Sequence, residues 1–269
     1  MSGLRSRANP RVHRWQRLVR DARARREERC TLIEGPHLVT AYLDQGERPK
    51  AVLVSEDGLR RAEVALLLRR AAIKPVLLSD SIFRSITDAE TPTGIAAEIE
   101  IRKDRIRLEE SPGCVFLEGI QDPGNVGAII RSAAAFGVGD VVLAKGCADA
   151  WSPKALRAGM GGHFSLGVVE GENLAAAIAR FGGKSICAVP REGIALHELD
   201  LSGRLGWIFG SEGQGVSKAL VACAGHRATI PMAADAESLN VAAAAAICLY
   251  EAWRQLSRDA APFSARAGS

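Results

Sequence analysis

At 269 residues, 47% apolar and 25% charged, the chain reads as an ordinary soluble globular protein with room for two domains, and this composition requires no disorder except at the ends. The net charge is only +4, yet residues 1–30 hold ten arginines against Asp21, Glu27 and Glu28, a local +7 that leaves −3 for the rest. The basic charge is therefore local and asks for a local anionic partner.

No uncharged apolar run reaches membrane-spanning length, since the longest candidate, Val241 to Tyr250, stops at Glu251. The first arginines precede no apolar core, which argues against a secretory signal and leaves a transit peptide as a minor alternative. Six cysteines (Cys30, Cys114, Cys147, Cys187, Cys223 and Cys248) stand singly without a C-x-x-C pair. Reduced, buried thiols in the cytoplasm are expected, and no metal site.

In chain order, Asn9-Pro10 reads as a cap and first helical position, and the helix is expected to run to about Arg29. Val12, Trp15, Leu18 and Val19 form a narrow apolar stripe on it, and arginines cover the other faces. One-signed charge costs self-repulsion unless an anion is met, so RNA contact is favoured over a solvated face. CTLIEG is then a strand, followed by a helix from Pro36. KAVLVS begins the next strand, and a Leu/Arg-rich helix covers Leu59 to Arg70. PVLLS and GIAAEIEI add two strands around the short helix SIFRSI, which makes residues 1–101 a small α/β domain. The charged run Lys103 to Glu110, closed by Ser111-Pro112-Gly113, reads as a linker over 102–112.

Across residues 113–269, CVFLEGI, DVVLAK, FSLGVVE, KSICAVP, GWIFG and RATIP are apolar strands alternating with helices. That is the pattern of a parallel sheet covered on both faces, whose ligands bind in the crevice beyond the strands' carboxyl ends. Two loops reach that crevice. GSEGQG follows one strand; a polar loop follows the strand ending at Pro231-Met232, and Ser238 then opens a long apolar helix with Asn240 in its first turn. The first loop is Gly-rich but spaced G-x-x-G-x-G, and Glu212 inside it would repel a pyrophosphate. A neutral or cationic cofactor is expected instead.

A further turn, Asp122-Pro123-Gly124, leaves CVFLEGI, and Asn125 opens the helix NVGAIIRSAAAFG. Asn125 and Arg131 are six apart and lie on different faces, so spacing alone reads the first as a cap and the second as a surface or ion-paired arginine. The last helix is alanine-rich and apolar nearly all round, which requires burial on most sides, in a monomer core or a dimer interface. Residues 257–269 are expected to fray.

GIQDPGNVGAIIRSAAAFGV, FGSEGQGVS and IPMAADAESLNVAAAAA, in that order, resemble the three motifs of the SpoU (TrmH) family of SPOUT RNA methyltransferases. The resemblance covers the second half of the chain, and the N-terminal third resembles that family's substrate-binding domain. It implies an α/β fold whose C-terminal parallel-sheet domain carries a trefoil knot, S-adenosylmethionine as cofactor, ribose 2'-O-methylation of structured RNA, and a homodimer. Ribosomal RNA is favoured over transfer RNA; a non-catalytic RNA-binding assembly or resistance factor is the reading from another class. Asn125, Arg131, Glu212, Ser238 and Asn240 match the family's catalytic positions. Gly210, Gly215, Ile230, Met232 and Leu239 match its cofactor-binding region, mainly through backbone groups.

A ribose hydroxyl is a poor nucleophile near neutral pH, so such an enzyme must position it and remove its proton. Arg131 is expected to orient an RNA phosphate and stabilise oxyanion charge rather than act as the base, because a guanidinium normally stays protonated. Glu212 is expected to position Arg131. Thr91-Pro92-Thr93-Gly94 and Glu34-Gly35 fall in the family's RNA-facing region. The third motif departs from the family pattern at Ala233-Ala234, near a usual glycine, and at Ala242, where serine is usual.

Overall fold

The structure is a computed structural model that describes Leu4 and residues 6–102, 106–233 and 237–259. Ala234, most of the expected fraying tail and Lys103 of the expected linker lie outside the described residues. The chain forms two compact units, Met1–Asp104 with Asp149–Ser165, and Arg105–Ala148 with Leu166–Ser269.

The first unit opens with α1 (Pro10–Arg20) and α2 (Ala22–Glu28), where one continuous helix was expected. Asp21 makes the break. Its backbone is extended (φ −120°, ψ 112°), and its carboxylate accepts the Arg23 N–H at 2.8 Å, so it ends one helix and caps the next. Val12, Trp15 and Leu18 of α1 are buried in a core with Leu32, Leu53 and Phe83, each side chain contributing about 2 kcal/mol of apolar burial. The Trp15 indole N–H donates to Glu98 Oε2 at 2.8 Å. The elements β1 (Cys30–Glu34), α3 (Pro36–Asp44), β2 (Ala51–Ser55), α4 (Glu56–Arg60), α5 (Ala62–Arg70), β3 (Val76–Leu78), α6 (Asp80–Ser85) and β4 (Ile95–Glu100) follow. They build a four-stranded sheet of order β1-β4-β2-β3 with β4 antiparallel to both of its neighbours.

Residues 149–165, expected in the C-terminal domain, belong to this first unit. Asp149 Oδ2 receives Arg25 Nη2 at 2.5 Å, Thr31 Oγ1 donates to the Trp151 carbonyl at 2.9 Å, and Phe164 meets Tyr42 edge-on at 5.3 Å. These are single polar and aromatic contacts, which leave no periodic trace in a sequence.

The second unit also begins earlier than expected. Leu108 is buried in its core, and Arg204 Nη2 donates to the Leu108 carbonyl at 2.8 Å, so the described part of the supposed linker is anchored. The elements are β5 (Gly113–Glu118), α7 (Pro123–Ala135), β6 (Asp140–Ala144), then α8 (Pro153–Gly159) in the first unit, β7 (Gly167–Glu172), α9 (Leu174–Phe181), β8 (Lys184–Ala188), β9 (Ile194–Ala195), β10 (Leu205–Gly210), α10 (Lys218–Cys223), β11 (His226–Thr229) and α11 (Val241–Asp259). The strands pair in parallel throughout, in the order β7-β6-β5-β10-β8-β11-β9. Six of them are the expected ones; β9 is a two-residue edge strand, too short to stand out in the sequence.

Both functional helices start elsewhere than expected. Pro123 is the first residue of α7, capped by Asp122, which accepts the Gly124 N–H at 2.9 Å, so Asn125 lies inside the first turn. α11 starts at Val241, and Asn240 is its cap: Oδ1 accepts the N–H groups of Ala242 and Ala243 at 3.0 and 3.2 Å. α11 buries Ala245, Cys248, Leu249 and Ala252, but leaves a second apolar stripe on the surface. No described helix is long and apolar enough to cross a membrane.

Candidate active site

β8, β10 and β11 are neighbours, and their carboxyl ends open on one cavity of about 380 Å³, within the range of cofactor sites. All five residues expected to hold a cofactor line it: Gly210, Gly215, Ile230, Met232 and Leu239. Of the expected catalytic residues, Glu212 and Ser238 reach it too. Ala188, Val189 and Pro190, at the end of β8, form a third wall that the sequence reading did not assign. KSICAVP ends in the same way as the other two strands, so that signal was present.

Gly210 ends β10 where the loop folds back on it. A Cβ there would lie 2.1 Å from the carbonyl carbon and oxygen of Gly215 and 2.3 Å from the Val216 nitrogen. The loop's own backbone, not a ligand, therefore excludes a side chain at Gly210. Gly215 takes φ +67°, in the left-handed region that favours glycine, and its N–H closes the turn on the Ser211 carbonyl at 2.8 Å. Glu118 at the end of β5 accepts the Ser217 N–H at 2.7 Å and holds the loop's far end.

The loop presents Glu212 to two amides. Asn125 Nδ2 donates to Glu212 Oε1 at 2.9 Å, and Asn240 Nδ2 donates to the same oxygen at 2.8 Å. Asn240 Nδ2 also reaches Asn125 Oδ1 at 3.1 Å. The orientation of each amide follows from its neighbour. Asn240 commits its oxygen to the α11 N–H groups, so its nitrogen faces Glu212 and Asn125, and Asn125 in turn directs its nitrogen to Glu212. The carboxylate sits beside the start of a 19-residue helix, the end that favours negative charge.

Arg131 is not part of this network. It is exposed on α7 and has no hydrogen-bond or ion-pair partner among the described residues, so the expectation that Glu212 positions it is corrected. Six residues along a helix turn Arg131 away from Asn125, and the two asparagines already occupy the glutamate oxygen nearest them.

Among the described residues, Glu212 is the one charged residue lining the cavity, and the rest are apolar, hydroxyl or amide side chains and glycine backbone. That donor set suits a small cationic or neutral molecule and provides nothing for a phosphate chain. Burial pushes the Cys187 thiol up to about 11 and the Cys248 thiol up to about 12, so neither is a nucleophile near neutral pH. Among the described residues, no His, Cys, Asp or Glu cluster gathers as a metal site.

In the first unit, Gly94 takes φ +86°, and a Cβ on it would lie 2.4 Å from the Gly58 Cα, so the Thr91–Gly94 turn is pressed on the start of α4. Nearby, burial raises the Glu34 carboxyl. Glu34 Oε1, Thr93 Oγ1 and Arg157 Nη1 are buried without a hydrogen-bond partner among the described residues.

A parallel sheet with a cofactor-sized cavity beyond its strand ends, in which Glu212 is the one charged lining residue among those described, defines an α/β protein of the small-molecule-binding class. Residues 112–250 match the model of the SpoU rRNA Methylase family, and residues 9–97 match the MRM3-like substrate binding domain. The chain belongs to the SpoU rRNA methylase family. It is 33% identical over 253 residues to the 23S rRNA (guanosine(2553)-2'-O)-methyltransferase RlmP of Bacillus subtilis, covering 93% of this chain and 98% of that one. It is 29% identical to the 23S rRNA (guanosine-2'-O-)-methyltransferase RlmB of Salmonella typhimurium, over 83% of this chain and 98% of the relative. Among solved structures, the SpoU methyltransferase AviRb of Streptomyces viridochromogenes in complex with AdoMet superposes with a TM-score of 0.81 at 27% identity, covering 93% and 98% of the two chains. An AdoMet-bound rRNA methyltransferase from Sinorhizobium meliloti gives 0.79 at 28% identity, covering 95% and 98%.

Proposed function

We propose that this protein is an S-adenosylmethionine-dependent RNA 2'-O-ribose methyltransferase acting on ribosomal RNA. The observation that carries the reading is the cavity shared by the ends of β8, β10 and β11, with one carboxylate and no cation among the described residues of its lining. A sulfonium cofactor fits that charge. When bound, it supplies an electrophilic methyl carbon for a ribose hydroxyl. In this reading Ile230, Met232 and Leu239 hold the cofactor's apolar parts and backbone, while the loop from Gly210 to Gly215 wraps around it. Arg131, unpaired and exposed, holds an RNA phosphate near the reacting hydroxyl, and Asn125 and Asn240 hold Glu212.

Ala244 lines the cavity from the second turn of α11. Ala244→Phe should fill the space, abolish S-adenosylmethionine binding in titration calorimetry and leave the melting temperature near that of the wild type. Tight cofactor binding by a folded Ala244→Phe protein would place the site elsewhere. Ribose-methylation mapping of ribosomal RNA from a deletion strain against its parent identifies the target; an unchanged map would remove ribosomal RNA as the substrate.

The same reading takes the first unit as an RNA-binding surface, supported by Arg7, Arg20, Arg26 and Arg29, which are exposed and have no acid partner among the described residues. The Thr91–Gly94 turn and Glu34-Gly35 belong to this proposed surface. It also takes the active form as a homodimer with the family's knot. Support for the dimer comes from α11, where Ile247 (40% exposed), Tyr250 (49%) and Trp253 (36%) leave a large apolar stripe uncovered. Light scattering should give twice the chain mass, and Tyr250→Asp should halve it. Six thiols outside any disulfide support a reducing compartment, the cytoplasm.

A further inference from the structure

Resting on the function proposed above, we infer that Arg191 is a substrate-binding residue: from the loop between β8 and β9, its guanidinium holds a phosphate of the RNA near the methylated ribose. That loop is one wall of the site. β8 lies between β10 and β11, and Ala188, Val189 and Pro190, where it ends, line the cavity. Arg191 comes next in the chain, exposed and outside the lining. The cofactor fills the cavity in this reading, and the RNA must come to its mouth. A cation beside the wall therefore meets the RNA rather than the cofactor.

Both ends of the loop are tied to β11. The Val189 N–H donates to the Ala228 carbonyl at 2.9 Å, and the Gly193 N–H donates to Thr229 Oγ1 at 2.9 Å. Ile194 and Ala195 of β9 then pair with Ala228 and Thr229. Gly193 is pressed so closely on β11 that a Cβ there would lie 2.6 Å from Thr229 Oγ1 and 2.8 Å from the Ala228 carbonyl carbon. Between these ties Glu192 takes φ +63°, a left-handed backbone that side chains other than glycine disfavour and that persists only where the surroundings impose it. Arg191 is thus displayed from a short, fixed loop, which lowers the entropy lost when a phosphate is gripped.

The charge of Arg191 is also left available. In the second unit Arg107, Arg180 and Arg254 are paired with glutamates, and Arg204 donates to the carbonyls of Leu108, Ser111 and Phe181. Arg131, Arg191 and Arg227 have no hydrogen-bond or ion-pair partner among the described residues. Arg227 sits within β11, level with Cys187 of β8, whereas Arg191 lies beyond the strand ends, on the side of the cavity. Glu192 and Glu212 are exposed acids on that side and repel a phosphate, so RNA reaches the mouth only where a cation offsets them. Arginine suits the task, since its planar fork meets two phosphate oxygens at once. Such a contact sets the register of the RNA and reads no base.

Arg191→Gln tests this, because it keeps a polar side chain and removes the charge. With unmodified ribosomal RNA, transcribed in vitro, we expect affinity to fall about five- to tenfold at about 0.1 M salt and the slope of log affinity against log salt to flatten by about 1. KM for the RNA should rise while kcat stays within about threefold, the mark of a contact made equally in the ground and transition states. Melting temperature and S-adenosylhomocysteine affinity should match the wild type. Arg191→Lys should keep the wild-type salt slope, since a cation remains. An unchanged slope for Arg191→Gln overturns the assignment, because a guanidinium already held by an acid of the protein, Asp235 outside the described residues included, neutralises no phosphate. A loss of S-adenosylhomocysteine affinity also overturns it, by making Arg191 part of the cofactor site. A wild-type protein that binds S-adenosylmethionine but neither binds nor methylates ribosomal RNA defeats the proposed function instead, and this inference with it.

Discussion

Asn240 Nδ2 lies 2.8 Å from Glu212 Oε1, while Oδ1 of the same amide accepts the first free N–H groups of α11. One side chain therefore starts the helix and aims the loop's carboxylate. Asn240→Asp keeps an oxygen for the cap but turns the donor into a second carboxylate oxygen facing Glu212, and like charges at that range repel. We expect it to retain most of the cap's contribution of about 1 kcal/mol and to lose about a hundredfold or more in methyl transfer. Asn240→Ala should lose both. Thermal melts run beside single-turnover rates separate the two roles, and a fully active Asp variant would remove Asn240 from the catalytic network.

Arg131 is exposed and has no hydrogen-bond or ion-pair partner among the described residues. Arg131→Ala should change stability by no more than about 0.5 kcal/mol and leave S-adenosylhomocysteine affinity alone. Methyl transfer should fall by several orders of magnitude. Loss of one phosphate contact should also reduce the slope of log RNA affinity against log salt by about 1. Arg131→Lys should not restore turnover, because a point charge replaces a planar fork. Turnover within tenfold of wild type for either variant would exclude Arg131 from the chemistry.

Gly210 is a test of the loop rather than of the ligand. Since the backbone of Gly215 and Val216 occupies the place of a Cβ, Gly210→Ala already forces the turn apart. Cofactor affinity and melting temperature should fall together, and Gly210→Val should be worse. Gly213 has open space at its Cβ position, so Gly213→Ala should leave the melting temperature nearly unchanged. A Gly210→Ala protein as stable as wild type would contradict the folded-back loop.

The strands of the second unit were legible because each is a short apolar run with a turn at its end, and this pattern also located the crevice. The residues that meet there were not legible from spacing. Asn125 and Asn240 touch across 115 positions, a distance no periodicity bridges, and their candidacy came from resemblance to a family's motifs. Glu212 contacts Asn125 and Asn240, which the resemblance named with it, and has no contact with Arg131 among the described residues. The break at Asp21 had a local signal, an acid able to cap a second helix, which the continuous arginine pattern hid. Leu108 shows the opposite case: one leucine among charges anchors a stretch that composition marks as a linker.

The arginine-rich opening contains two kinds of arginine. Arg25 is buried against Asp149, with side chains 5% and 11% exposed, and its Nη1 donates to the Leu18 and Val19 carbonyls. Arg14, Arg17 and Arg23 are paired with Glu28, Glu98 or Glu27, so the local charge is partly balanced within the fold. Arg25→Gln should destabilise the protein by about 3 to 5 kcal/mol, because Asp149 loses its partner in a buried site. Arg20, Arg26 and Arg29 changed together to glutamine should leave stability near wild type, yet weaken RNA binding and flatten its salt dependence. Denaturant melts and RNA titrations at several salt concentrations check both halves. An unaltered salt slope in the triple variant would make these arginines a solvated face.

His163 gives the first unit an acid-side weakness. Its Nε2 lies 2.8 Å from the Ala150 carbonyl, which makes that nitrogen the donor of a neutral ring, and Nδ1 is buried with no hydrogen-bond partner among the described residues. Burial lowers its pKa from 6.5 to about 4. A folded pKa below the unfolded one means that the unfolded chain binds the proton first, so stability is full above about pH 6.5 and is lost as pH falls towards 4. The difference amounts to about 3 kcal/mol, and nothing further is lost below that window. Burial raises the carboxyls of Glu34 and Asp140, which act in the opposite sense by losing stability as pH rises above their ordinary carboxylate values. Subtraction isolates the histidine: His163→Gln retains a donor for the Ala150 carbonyl but does not titrate. Wild-type stability minus that of His163→Gln, from denaturant melts at steps between pH 4 and 7.5, should be flat at the top and fall towards the bottom. A difference independent of pH would show that the ring reaches solvent when it is protonated.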